Sequence, residues 1–171
     1  MAAGNTYTQI ASTTLGSAAA NITFSSIPST YTDLVLVVFA RSTRASTDDS
    51  LYLQFNSDTA TNYSYTELAG NGTAASSGRA SSQTQIRPST NMDAASQTAG
   101  TFTPVIISIN NYSNTTTNKT TLSRSNMTAK EVSAVVGLWR STSAISSILL
   151  KCAVGNLDTG STFNLYGISA A

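Results

Sequence analysis

The chain has 171 residues, a formal net charge of +1, only 10% charged residues and no histidine. Catalysts of this size usually carry a group that titrates near neutrality, and histidine is its usual supplier, so the composition weighs against a reaction centre. It also removes the electrostatic case for nucleic acid or an anionic membrane, because the Lys and Arg residues are spread from Arg41 to Lys151 without a basic run.

Close to a third of the residues are Ser or Thr, and β-branched Thr fits a pleated, half-solvated surface. The hydrophobic 40% falls in short runs along the whole length, which argues for a folded chain rather than a low-complexity linker. One domain over 1–171 is expected, with a polar N-terminal arm at about 1–8. The longest apolar run, 34–40, is far short of a membrane span, and the N-terminus has neither the basic start nor the apolar stretch of a signal peptide.

In chain order, Ile22-Thr23-Phe24 alternates as a half-buried strand does, and Pro28 marks a turn after it. Residues 33–42 hold Leu34-Val35-Leu36-Val37-Val38-Phe39-Ala40, apolar on both faces, which predicts a central strand covered on both sides. A turn over 46–50 leads to Leu51, Leu53 and Phe55, spaced by two. Residues 63–68 read as the next strand, ended by the turn signal Gly70-Asn71-Gly72. From 73 to 100 the apolar residues thin to small Ala, with isolated Ile86 and Met92. A long loop with one edge strand near 82–87 is expected there, and long loops are where contacts are usually made.

Val105, Ile107 and Ile109 alternate after Pro104, and Asn110-Asn111-Tyr112-Ser113-Asn114 reads as a turn. Residues 117–125 predict a polar edge strand, and the valines of 131–139 favour another strand. Ile148, Leu149 and Leu150 begin a further strand, and Phe163 and Leu165, opposite Tyr166 and Ile168, form the last. No segment keeps a helical period over ten or more residues. Roughly nine to eleven short strands between turn signals predict an all-β, two-sheet antiparallel β-sandwich, with jelly-roll connectivity. The expected core is 34–39 with Leu53, Phe55, Ile107, Val135, Leu149, Phe163 and Leu165, and Cys152 is expected to be a small buried hydrophobe.

No catalytic, cofactor-binding or metal-binding residues are assigned. Asp158-Thr159-Gly160-Ser161 matches the aspartic-protease loop, but that chemistry needs two carboxylates sharing a proton, and turn chemistry explains the four residues as well. Asp48, Asp49 and Asp58 match no calcium loop and are expected to be solvated turn carboxylates. With no His and one Cys, a zinc site cannot be assembled within the chain. The Asn-x-Ser/Thr triplets, such as those at Asn21 and Asn71, are what a chain rich in these residues generates by chance. Tyr63, Tyr65 and Tyr112 sit near expected loops, where tyrosine suits sugar or protein recognition or covers strand ends.

Several segments resemble a group of small tailed-bacteriophage virion proteins. They are Ile10-Ala11-Ser12-Thr13-Thr14-Leu15; Ile22-Thr23-Phe24-Ser25-Ser26-Ile27-Pro28 leading to Asp33-Leu34; Leu53-Gln54-Phe55-Asn56 with Asn62-Tyr63-Ser64-Tyr65; and the run from Gly160 to Ile168. The resemblance implies a β-sandwich virion component without enzymatic activity or cofactor. The expected function is a capsid decoration or cement protein on the outer surface of the particle, bound over major capsid subunits and associating with itself as a homotrimer. The alternative is a tail-fibre or receptor-binding module that recognises host glycans.

Overall fold

In the computed structural model, which describes residues 6–169, the chain forms twelve strands and no helix among the described residues. They are β1 (Tyr7–Thr14), β2 (Asn21–Phe24), β3 (Asp33–Ala40), β4 (Asp48–Phe55), β5 (Tyr63–Gly70) and β6 (Ala75–Gln83). The second half holds β7 (Ile86–Asp93), β8 (Thr103–Asn110), β9 (Lys119–Met127), β10 (Glu131–Trp139), β11 (Ile148–Cys152) and β12 (Thr162–Ile168). Every pairing is antiparallel, and the strands make an eight-stranded sheet in the order β1-β12-β3-β8-β9-β10-β5-β6 facing a four-stranded sheet in the order β2-β11-β4-β7.

The pairings are nested. β1 pairs with β12 and β3 with β8 in the large sheet, while β2 pairs with β11 and β4 with β7 in the small one. A two-ply ribbon that crosses between two sheets in this way has jelly-roll connectivity. Two additions interrupt it: the β5–β6 hairpin lies between β4 and β7 in sequence, and β9–β10 lies between β8 and β11. They join each other through β10 and β5 and widen the large sheet by four strands.

Alternation decides which side chains enter the core. Leu34, Leu36 and Val38 of β3, Leu51, Leu53 and Phe55 of β4, Val105, Ile107 and Ile109 of β8, and Phe163 and Leu165 of β12 are buried between the sheets. Trp139 ties the added strands to this core. Its ring lies 5.5 Å from that of Phe55 and stacks 6.2 Å from that of Tyr63, while Nε1 donates to Asp58 Oδ2 at 2.7 Å.

Under the added strands the interior changes character. β7 packs against β9 and β10, and the buried side chains between them are largely hydroxyls. Ser123 Oγ donates to the Pro88 carbonyl at 2.8 Å, Ser89 Oγ to Ser125 Oγ at 3.0 Å, and Ser125 and Ser133 are bonded at 2.8 Å. Small hydroxyls allow close approach, and those of Ser89, Ser123, Ser125 and Ser133 are hydrogen-bonded, so they fill the space between the buried Ile86, Met92 and Met127. Gly137 belongs to it: a Cβ there would stand 2.5 Å from Thr121 Oγ1 and 2.7 Å from Ile86 Cγ2. Gly137→Ala should therefore destabilise the protein by about 1–3 kcal/mol through overpacking, read as a lower urea midpoint with unchanged slope.

Several expectations are corrected. The region 73–100 is not one long loop: Ala75–Gln83 and Ile86–Asp93 are strands, because ladder pairing with β5 and β4 holds residues that carry no apolar alternation of their own. The polar segment at 117–125 is not an edge; β9 sits between β8 and β10, with its buried Thr and Ser facing the hydroxyl layer. β4 begins at Asp48, within the expected turn. Residues 1–5 of the expected arm lie outside the described residues, while Tyr7 and Thr8 belong to β1. Finally, β3 is not covered on both sides along its whole length: Val35 on the outer side is buried, but the strand opens beyond it. Val37 is half-buried and Phe39 is 45% exposed, both on the outer side of the large sheet, and Leu149 likewise points away from the core.

Candidate functional site

The residues singled out for chemistry have structural roles. Asp158 closes a turn between β11 and β12: its carbonyl accepts from Ser161 N–H at 3.1 Å, its Oδ1 from Thr159 N–H at 2.8 Å, and Gly160 takes a φ of 86°. Its Oδ2 lies 3.9 Å from Arg41 Nε. Asp48 pairs with Lys130. Asp49 is not solvated but 2% exposed; its Oδ2 accepts from Ser42 Oγ at 2.7 Å and Gly155 N–H at 2.9 Å. Asp58 stands apart, organising the turn after β4. Desolvation raises its pKa, but hydrogen bonds from Asn62, Trp139 and Ala60 outweigh that and hold it below the ordinary value. Cys152 is buried, and burial pushes its thiol up to about 12, so it carries no reactive thiolate near neutrality.

The tyrosines are committed as well. Tyr63 and Tyr112 are buried, Tyr63 bonding the backbone at Phe55 and Asp58 and Tyr112 donating to the Pro28 carbonyl. Tyr65 is half-buried beneath Arg87, whose guanidinium lies 5.1 Å from the ring centroid. That arginine also pairs with Glu67 at 2.9 Å.

What remains open is the outer face of the eight-stranded sheet. Cross-strand register aligns Val37, Ile106, Arg124, Ala134 and Leu68 in one row, and Val35, Ser108, Leu122, Val136 and Thr66 in the next. Phe39, Pro104 and Val132 continue the face in one direction, and Leu138 in the other. Leu68 is 60% exposed and Val132 61%. Among the described residues, every exposed large hydrophobic except Val154 lies on this face. Single exposed apolar residues are ordinary, but a contiguous patch of this kind marks an interaction surface.

Charge is segregated on it. Arg124 projects from its centre, and Arg79 and Arg140 flank a cleft of about 570 Å³ between β10, β5 and β6. The one carboxylate with outward register among the described residues, Asp33, is at a corner and accepts from Asn111 N–H at 2.6 Å. The other carboxylates face inward or sit in turns. From strand spacing the whole face measures about 34 Å by 23 Å, roughly 800 Å², which is one partner's share of a standard protein interface.

The signal for this face was present in the sequence. β10 carries Val132, Val136 and Leu138 on one parity and Val135 and Trp139 on the other. Apolar residues on both parities predict burial on both sides; here one side is covered by the fold and the other is left open. No protein-family model matches the chain, and no curated protein is found to match it.

Proposed function

We propose that this chain is a non-enzymatic structural protein of a bacteriophage virion, a decoration or cement protein that lies on the outside of the head across major capsid subunits. The observation that carries the reading is the open face of the large sheet. It has the footprint of a standard interface, apolar rows at its centre that are inexpensive to desolvate, and arginines that form no ion pair among the described residues. A surface complementary to it presents apolar side chains with Asp or Glu opposite Arg124 and the Arg79–Arg140 cleft. The jelly-roll supplies the rigid support that such a face requires. Glycan recognition draws less support, since the tyrosines that favoured it are buried or capped by Arg87.

The test is copy number and its dependence on the face. In purified virions carrying this chain, quantitative mass spectrometry should find on the order of hundreds of copies, as expected when many identical shell junctions each take a standard interface. A handful of copies overturns decoration in favour of a tail position. Val136→Lys places a charge at the middle of the face, where Val136 is already 53% exposed. It should leave thermal stability within about 0.5 kcal/mol while reducing particle binding at least tenfold. Retained binding overturns the assignment of the face.

A further inference from the structure

The two sheets have four edges, and three are protected. β7 carries Pro88, has two register shifts against β4, and packs against β9 and β10. β2 is only four residues long. β1 is broken by a register shift between Gln9 and Ala11. These are the devices by which proteins keep a sheet from pairing with another chain: proline, short edges and bulges. β6 lacks them over most of its length. Ala75–Ala80 pairs residue for residue with β5, and the register shifts only beyond it, near Ser82 with its φ of 53°. This run contains one charge and no proline, is mostly exposed, and leaves its outer row of backbone N–H and C=O groups without a neighbouring strand.

We propose that two copies of the chain join edge to edge through β6, antiparallel, about a twofold axis at Ser77. Antiparallel pairing places residues of the same face opposite one another, and centring on Ser77 sets Ala75 against Arg79 and Ser76 against Gly78. The two Arg79 side chains then start about 13 Å apart along the strands, beyond the screening length of about 8 Å at physiological salt. Apart from Arg79, which faces Ala75, small residues meet small residues. Beyond that arginine, the Ala75–Ala80 run presents only small side chains, which give a foreign strand little to recognise, whereas a second copy supplies a complementary edge by symmetry.

The axis runs perpendicular to the sheet, so both open faces point the same way and form one continuous surface. Pairing of this length buries less than the about 1,200 Å² of a stable standard interface, so the free dimer is weak and becomes firm when both faces share one support. The resemblance implies three copies; the edges of this sandwich fit two. The pairing stands whatever surface the open face meets, and its test needs no particle.

Sedimentation equilibrium of the full chain, from about 10 μM to 1 mM, should show a reversible monomer–dimer equilibrium, the range expected for a contact below standard size. Ser77→Lys sets two ammonium groups opposite each other and should weaken the dimer at least about tenfold while leaving the melting temperature unchanged. Ser77→Cys should form a symmetric disulfide under mild oxidation, since paired Cα atoms lie within about 4.5–5.5 Å. Thr8→Cys on β1, the control, should not, and buried Cys152 does not interfere. A monomer at every concentration, a trimer, or a dimer that survives Ser77→Lys without cross-linking at position 77 overturns the proposal.

Discussion

Leu36→Asp should abolish cooperative folding, whereas Val37→Asp, one residue along, should cost about 1 kcal/mol or less. Leu36 is fully buried on β3, in the apolar cluster between Leu165 of β12 and Ile107 of β8. An aspartate there either remains charged in an apolar interior or takes up a proton and leaves a polar group unpaired. Either way the penalty, together with the lost packing of a leucine, consumes most of the 5–15 kcal/mol, roughly, that holds a domain together. Val37 belongs to the outer row with Ile106 and Arg124, where a carboxylate keeps contact with water. Circular dichroism melts of the two variants decide the matter. Equal loss would mean that the outer side of β3 is covered, and the open face would not exist.

The second large effect is expected at Arg41. This side chain is 6% exposed, and its guanidinium donates to four main-chain carbonyls of the segment between β7 and β8: Ala95 at 3.2 Å, Gln97 at 2.9 Å, Thr98 at 2.9 Å and Thr101 at 3.0 Å. The segment has little regular secondary structure, so one planar fork of donors does the work that a ladder does elsewhere. Arg41→Met keeps much of the packing and removes every donor. It should cost about 3 kcal/mol, from several charge-assisted hydrogen bonds partly offset by hydration of the freed carbonyls. Limited proteolysis should then cut within 94–102 before anywhere else. Arg41→Lys should recover little, because a single ammonium cannot reach both sides of the loop. Cleavage unchanged from the parent protein would show that the loop orders itself.

How much of this was legible in the sequence depends on what each strand packs against. Where a strand meets the apolar core, period-two alternation located it: β4, β8 and β12 follow from Leu51-x-Leu53-x-Phe55, Val105-x-Ile107-x-Ile109 and Phe163-x-Leu165. The sandwich and its connectivity followed from the count and spacing of such runs. Where a strand meets the hydroxyl layer or an edge, the alternation vanishes. Ser76-Ser77-Gly78 in β6 look like loop residues, and the Thr and Ser of β9 read as a polar edge strand, although Ser123 and Ser125 are buried with hydrogen-bond partners on β7 and β10. β1 was missed for the same reason, since Thr8, Ser12 and Thr13 on an edge need no apolar anchor. The open face was misread rather than unseen. Val37 and Phe39 are legible as strand residues, but a sequence that is apolar on both sides does not record which side the fold itself covers.

The nested pairing also dictates an order of events in time. Ser12 on β1 donates a hydrogen bond to Asn164 on β12, 152 residues away, and β2 likewise waits for β11. Until β12 has left the ribosome, β1 has no strand to lie against, and one side of β3 stands open. The hairpins β5–β6 and β9–β10 form locally and are ready much earlier. Closing such distant contacts is slow, on the order of milliseconds to seconds even for small β-sandwiches. During that interval the unbroken edge of β6 is exposed on a half-built sheet, the situation in which nascent β-proteins misassociate. A chain that keeps this edge unprotected therefore depends on finishing synthesis quickly relative to meeting its neighbours. Of the twelve described strands, the first to be made is among the last to find its place.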